Sequence, residues 1–257
     1  MTLVDRRSLR FTWTYAKSQL RLKYRYTALG VLWLLLEPML YLGVLSVVFS
    51  YVNRMDMGAY AVFLFSALVP WRYFEKVVSS CMDAIVQGDW LLKQLPASPF
   101  ALPLARWIVA SIEFACSFAA VTLILAFVKE RWTVHVLVLP LAALPWALAA
   151  LGVGLCCASL YTFFRDIRPV VHAALMLAFF TAPILFDPSV FPADSVQERL
   201  LAWHPLTYLA ALFQKPIHAD RWPGSIDWAV SSLAALLVMA LGVASIQWTR
   251  ARLYFYL

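Results

Sequence analysis

Four ionisable residues lie within otherwise apolar stretches: Glu37, Arg72, Glu75 and Glu113. A charge at the centre of a bilayer costs about 2.5–3.5 kcal/mol on insertion scales, so such groups usually face the interior of a helix bundle. Arg72 and Glu75 are three residues apart and are expected to pair on one helix face. Glu113 has no partner nearby in sequence, so it must be neutral, contact water or meet another helix. Their spacing in the sequence does not predict the cluster that a proton pathway would need.

The second charged feature is a basic N-terminal segment, predicted to form an amphipathic helix over residues 8–26. Its apolar residues repeat every three or four positions, as one face of a helix requires; they are Leu9, Trp13, Ala16, Leu20 and Tyr24. Arg10, Lys17, Arg21 and Arg25 lie on the neighbouring flank, whereas Lys23 falls on the apolar side. The helix is either a basic anchor at the membrane surface or a surface that binds a partner or lipid headgroups.

A short apolar stretch over residues 84–96 is the third feature. Trp90, Leu91, Leu92 and Leu95 predict a short amphipathic helix that ends at Pro96. An exposed apolar helix is a candidate contact for a soluble partner. Packing against the membrane surface or the chain's own bundle is the alternative.

Motifs for catalysis and cofactor binding are absent from the sequence. It has no G-x-x-x-x-G-K-[ST] for nucleotide phosphates and no G-x-S-x-G for a serine nucleophile. The four histidines are scattered, and Cys81, Cys116, Cys156 and Cys157 show no C-x-x-C spacing. We therefore expect no catalytic residue, metal or cofactor in this chain.

The amino-acid composition indicates that these features belong to a membrane protein. Of the 257 residues, 63% are hydrophobic and 14% charged, and the mean hydropathy is +0.76, whereas soluble domains carry about 25% charged residues. A soluble enzyme and a nucleic-acid-binding protein are excluded, despite the net charge of +7. The chain is predicted to be an all-α membrane protein.

Six apolar segments approach the roughly 20 residues that a transmembrane helix needs. They cover residues 29–52, 59–80, 102–128, 134–163, 170–186 and 226–248. Most lysines and arginines fall on one side if the N-terminus is inside, so the positive-inside rule places both termini in the cytoplasm.

We predict one transmembrane domain over residues 1–257. It comprises a cytoplasmic interface helix (1–28), spans one to five (29–186), an outer segment (187–225), and span six with a tail (226–257). Prolines divide the outer segment into two short re-entrant-type helices, one opened by the capping box Ser195-x-x-Glu198 and one over residues 206–213. These helices form either a pore mouth or a plain hydrophobic cap.

These features together resemble the permease subunit of bacterial ATP-binding-cassette exporters of O-antigen, capsular polysaccharide or teichoic acid. The resemblance covers nearly the whole chain and rests on the order of several short motifs. These are Arg25-Tyr26-x-x-Leu29-Gly30-x-Leu32-Trp33, Glu37-Pro38, Leu68-Val69-Pro70-Trp71, Leu91-Leu92-Lys93, Phe163-Phe164-Arg165-Asp166-Ile167 and Pro205-Leu206-Thr207-Tyr208. The family often has Asn where this chain has His204.

The resemblance implies a pore made of two copies of the chain, with two copies of a separate ATPase that bind ATP and Mg. Residues 83–97 would form the coupling helix in the ATPase groove, and residues 165–168 a second contact. The residues implied in coupling are Asp83, Asp89, Trp90, Leu91, Leu92, Lys93, Arg165, Asp166 and Arg168.

The implied substrate is a lipid-linked polysaccharide that crosses the bacterial inner membrane. Arg21, Lys23 and Arg25 are the candidates for the phosphates of its lipid carrier, because cations at the inner leaflet attract them. The candidate aromatic residues along the translocation path are Trp33, Tyr41, Trp71, Tyr73 and Phe74. Membrane lipids are expected partners, and nucleic acid is not.

Three other functions are weighed against this one. A permease of the same superfamily for lipids or drugs is the nearest. A membrane enzyme of lipid-linked sugar metabolism would need a cluster of acid, base or metal-binding residues, which is not seen. A secondary transporter would show inverted repeats with paired broken helices, and none is found.

Overall fold

The computed structural model describes residues 6–25, 29–52, 55–94, 98–129, 134–192 and 195–256. All regular elements within these ranges are helical, which confirms the predicted class. The helices are α1 (Arg6–Arg25), α2 (Trp33–Val52), α3 (Met57–Gln87), α4 (Asp89–Gln94), α5 (Ala101–Lys129), α6 (Leu139–Phe163), α7 (Ile167–Thr181), α8 (Val196–Trp203), α9 (Pro205–Ile217) and α10 (Ser225–Tyr256). Short 3₁₀ turns at Gly30–Leu32 and Val134–Val138 precede α2 and α6.

Four helices within the described residues are long and apolar enough to cross a membrane. Their apolar parts are Trp33–Val52, Ala101–Leu123, Val134–Phe163 and Ser225–Thr249. The chain is a membrane protein on this basis. The predicted second span corresponds to α3, which carries three charged residues in its middle, and the fifth corresponds to α7, which has 15 residues.

Helix α7 ends earlier than the predicted fifth span. Ala182, the C-cap residue, is extended, with φ −79° and ψ 151°. The cause is Pro183, because a proline disfavours helical backbone in the residue before it. The following residues up to Leu185 are buried in the bundle.

Helix α3 is the centre of the bundle. It packs against α2, α5, α6, α7 and α9, and Asp56 caps its N-terminus by accepting hydrogen bonds from the amides of Gly58 and Ala59 (2.9 and 3.2 Å). Nearly every residue from Tyr60 to Phe74 is buried. A helix buried in protein can carry charged residues that a lipid-facing helix could not.

Helices α6 and α10 form the most extensive helix pair, and two glycines allow their close approach. A Cβ placed on Gly152 would lie 2.6 Å from the backbone nitrogen of Met239, and one on Gly242 would lie 2.4 Å from the carbonyl oxygen of Gly152. Small residues at a helix contact are typical of membrane bundles, because they let two backbones pack directly.

Helix α1 packs against α5. The buried line is Ser8, Thr12 and Ala16, whereas Leu9 and Trp13 are exposed. Small residues let α1 approach α5, while Leu9 and Trp13 of the predicted apolar stripe stay exposed on the surface of the chain. The buried Thr12 hydroxyl donates a hydrogen bond to the carbonyl of Ser8 at 2.8 Å.

Candidate functional site

Of the short helix predicted over residues 84–96, the part Asp89–Gln94 is present as α4, whereas residues up to Gln87 continue α3; a coupling role for α4 stays a prediction. Gly88 ends α3 by donating to the carbonyl of Ala84 at 3.1 Å, and α4 begins at the next residue. Trp90 is 56% exposed, whereas Leu91 packs partly against the core. Lys93 and Asp89 form an ion pair of 3.1 Å along the helix. The side chain of Leu92 and residues 95–97 lie outside the described part of the chain.

A second cluster joins the end of α3 to the start of α7. Arg168 donates a hydrogen bond to Asp83, and Asp166 occupies the N-cap position of α7. The guanidinium groups of Arg165 and Arg168 lie 5.1 and 5.6 Å from the ring centre of Tyr161. The structure thus joins Asp83 of the first segment predicted to contact the ATPase to Arg168 of the second.

The three basic residues predicted to bind carrier phosphates separate into two groups. Arg21 and Arg25 line a surface groove of about 360 Å³ together with Trp13 and Lys17, and the Lys17 ammonium lies 5.2 Å from the Trp13 ring centre. Lys23 contacts the bundle instead. Its role at a phosphate and those of Arg21 and Arg25 stay predictions.

Lys23 belongs to a cluster around Glu113, which is 2% exposed. The Lys23 and Lys76 ammonium groups each lie 2.6 Å from one carboxylate oxygen of Glu113. The Tyr24 hydroxyl donates to the same carboxylate, also at 2.6 Å. Glu113 on α5 therefore contacts α1 and α3, which is one of the three alternatives that the sequence left open. We call Glu113, Lys23 and Lys76 the Glu113 cluster.

The Arg72 cluster, made of Arg72, Glu37 and Glu75, has the opposite arrangement. The Arg72 guanidinium lies 2.9 Å from Glu75, which confirms the predicted pair, and 3.2 Å from Glu37 on α2. It also stacks over the Tyr41 ring at 4.4 Å. The sequence predicted the local partner but not the one on α2.

Both clusters line one cavity between α2, α3 and α5, to which α1 contributes Lys23. Its volume is about 390 Å³, within the range of about 300–1,000 Å³ of small-molecule sites. The described residues that line it include Tyr41, Tyr73, Ser79 and Phe114 beside the two clusters.

The predicted path aromatics differ in exposure. Trp71, Tyr73 and Phe74 are buried; Trp71 stacks on Phe74 with ring centres 5.6 Å apart, and the Tyr73 hydroxyl is hydrogen-bonded to Ser111 at 2.8 Å. Trp33 and Tyr41 on α2 are partly exposed. The first three therefore pack inside the single chain, and a path role for all five stays a prediction.

The outer segment is built from α8 and α9. The Ser195 hydroxyl accepts from the Glu198 amide at 3.2 Å, which confirms the predicted helix start. His204 caps α9 by accepting from the Leu206 amide on its Nδ1 at 3.3 Å. Leu209 and Phe213 are buried, so α9 packs into the bundle.

No protein-family model matches the chain. The chain is 28% identical to the O-antigen export system permease protein RfbA of Myxococcus xanthus, over 88% of this chain and 86% of that protein. It is 25% identical to the protein of the same name from Klebsiella pneumoniae, over 73% and 76% of the two chains. The polysialic acid transport protein KpsM of Escherichia coli is 24% identical over 88% of both chains.

Proposed function

We infer that this chain, a homologue of O-antigen export and polysialic acid transport permeases, is the transmembrane subunit of a polysaccharide exporter. The observation that carries the inference is the similarity to permeases of two different glycans over most of the chain's length. The apolar helices of the structure agree with a membrane transport protein. The chain itself is a transporter subunit and not an enzyme.

The proposed arrangement has six crossings in the bacterial inner membrane, with both termini in the cytoplasm. The two crossings beyond the four long apolar helices are α3 and α7. Support for α3 comes from its length of 31 residues, or about 46 Å, which exceeds the roughly 30 Å hydrocarbon core. The basic residues of α1 then face the cytoplasmic leaflet.

An ATP-binding-cassette ATPase is the proposed energy source, with two ATPase subunits serving two copies of this chain. ATP and Mg would bind to that partner. Trp90 on α4 provides an exposed apolar contact, and the Asp83–Arg168 pair near the end of α3 connects α3 to α7. A movement of the ATPase would thereby be transmitted to both α3 and α7.

The proposed substrate is a lipid-linked polysaccharide. Arg21 and Arg25 are exposed on α1 and remain the first candidates for the carrier's phosphates, whereas Lys23 would act there only while it also holds Glu113. Trp33 and Tyr41 are the path aromatics that the single chain leaves accessible to a sugar.

Affinity purification of the tagged chain in mild detergent, with mass spectrometry of bound proteins, tests this function. We expect a stoichiometric ATP-binding-cassette ATPase, reduced at least tenfold by Trp90→Asp. Trp203→Asp is the matched control, since Trp203 on α8 is 88% exposed but lies in the outer segment. Recovery of the intact chain without an ATPase, under conditions that preserve a known complex of this kind, would contradict the proposal.

A further inference from the structure

The charges around the cavity are arranged as two opposite poles. In the Arg72 cluster one cation lies between two carboxylates, so the cluster carries a formal charge of −1. In the Glu113 cluster one carboxylate lies between two ammonium groups, so the cluster carries +1. Arg72 and Lys76 are one helical turn apart on α3, which places the two poles side by side.

The groups that supply the excess charge remain accessible. The side chains of Glu37, Glu75, Lys23 and Lys76 are each between a third and just over half exposed, while Glu113 is 2% exposed. An ammonium group has three donors and a carboxylate has about four acceptor positions, so each retains hydrogen-bonding capacity for a ligand. The cavity thus offers donors at one pole and acceptors at the other.

The cavity lies toward the end of the apolar segments at which the basic helix α1 packs. The part of α3 from Met57 to Trp71 is uncharged, about 22 Å long, and Arg72 is the first charge after it. Glu37 lies in the second turn of α2, just after Trp33, and Lys23 is near the end of the basic helix α1. Tryptophan and basic residues at the start of a span are typical of the bilayer interface.

We propose that this cavity binds a zwitterionic phospholipid headgroup with a primary amine, its phosphate at Lys23 and Lys76 and its ammonium at Glu37 and Glu75. The opposite poles favour a ligand with both charges over an anionic lipid such as phosphatidylglycerol, whose headgroup has no cation for the Arg72 cluster. A primary ammonium donates hydrogen bonds to carboxylates, whereas a quaternary choline has no N–H. The site goes beyond the export function, because it depends on the membrane position of the chain and not on the glycan.

Native mass spectrometry of the purified full-length protein tests the site. The protein is equilibrated in mixed micelles that contain equal amounts of phosphatidylethanolamine, phosphatidylcholine and phosphatidylglycerol, and the retained lipids are counted. The wild type is expected to retain phosphatidylethanolamine preferentially. Glu75→Gln neutralises the negative pole and should reduce the preference for phosphatidylethanolamine over phosphatidylglycerol by about tenfold, as expected for the loss of one hydrogen bond to a charged group.

Glu198→Gln is the matched control, because it makes the same substitution on the exposed face of α8, outside the cavity. Glu37→Gln is the second variant and should act like Glu75→Gln, which covers the case in which one substitution fails to fold. Equal retention of the three lipids by the wild type, or preferential retention of phosphatidylglycerol, would overturn the proposal. A preference that both variants leave unchanged would also overturn it. Because the readout requires neither an ATPase nor a glycan, failure of the export function would not mimic any of these results.

Discussion

At the scale of single residues, Glu113 is a buried charge that contacts two other helices. Its buried carboxylate holds ammonium groups from two other helices at 2.6 Å. Removing one partner of a buried ion pair destabilises a protein because the remaining charges stay in a poorly solvated place. Glu113 therefore links α1, α3 and α5 at one point.

We predict that Glu113→Gln lowers the free energy of unfolding by about 2 kcal/mol, less than the 3–5 kcal/mol of a fully buried pair, because both lysines keep part of their hydration. Thermal unfolding of the purified protein in detergent measures the effect as a lower Tm. Glu198→Gln, on the exposed face of α8, should leave Tm nearly unchanged. Equal Tm values for the two variants would contradict a structural role for Glu113.

Protonation of His204 affects the N-cap of α9. Its neutral Nδ1 caps α9, and burial lowers the pKa of His204 from its ordinary value, which is about 6.5. The folded state therefore favours the neutral ring, and protonation removes the acceptor. The capping contribution is present above about pH 6.5 and is lost as the pH falls through the lowered pKa of the folded state.

The prediction is that His204→Ala costs about 1 kcal/mol at pH 8, as for other lost N-caps, while His204→Asn costs little, since Asn is among the preferred caps. Between pH 8 and pH 5 the Tm of the wild type should fall further than that of His204→Asn. Thermal unfolding at both pH values measures this. The same pH dependence in both proteins would show that His204 titrates without affecting the cap.

At the scale of helices, close backbone contact decides the packing of α6 on α10. We predict that Gly152→Ala lowers the unfolding free energy by about 1–3 kcal/mol, the usual cost of overpacking, because its Cβ would meet backbone atoms of α10 that cannot rotate away. Gly43→Ala in α2 is the control, since its Cβ would have no neighbour within 4 Å. Both substitutions gain helix propensity equally, so the difference in Tm reports the contact alone. A Gly152→Ala protein as stable as Gly43→Ala would rule out the tight contact.

The predictable elements were those with local causes. Ser195 and Glu198 are three residues apart, as are Arg72 and Glu75, and a helix fixes the geometry of such pairs. The link between Lys23 and Glu113 spans 90 positions, and no spacing rule reaches that far. Its one sequence signal was that Lys23 falls on the apolar side of α1, where a lysine requires a partner.

The buried face of α1 was not predictable from its apolar pattern. Hydrophobic periodicity detects large side chains, which on this helix include the exposed Leu9 and Trp13. The buried residues of α1 are Ser8, Thr12 and Ala16, whose small side chains let it approach α5 closely. In a membrane protein large apolar residues are stable against lipid, so they do not identify the side that faces protein.

At the scale of the whole molecule, the same reasoning explains why α3 does not have the composition of a membrane-spanning helix. It is surrounded by other helices and carries Arg72, Glu75 and Lys76, each paired with an acidic or basic partner. These side chains are paired within the bundle and line the cavity between α2, α3 and α5. The charged residues of α3 therefore do not argue against a crossing, and the number of crossings depends on which side of the membrane each end of α3 and α7 occupies.

Labelling of introduced cysteines with a membrane-impermeant maleimide answers that question, in a background from which the four native cysteines are removed. The exposed positions Met57→Cys and Gln94→Cys flank α3, and Arg165→Cys and Val190→Cys flank α7. With six crossings and cytoplasmic termini, Met57→Cys and Val190→Cys label in spheroplasts, and the other two label only after lysis. If α3 does not cross, Met57→Cys and Gln94→Cys label together, because both ends of α3 then lie on the outer side. That outcome would place α4 out of reach of a cytoplasmic ATPase, so the same experiment tests the proposed coupling surface as well as the number of spans.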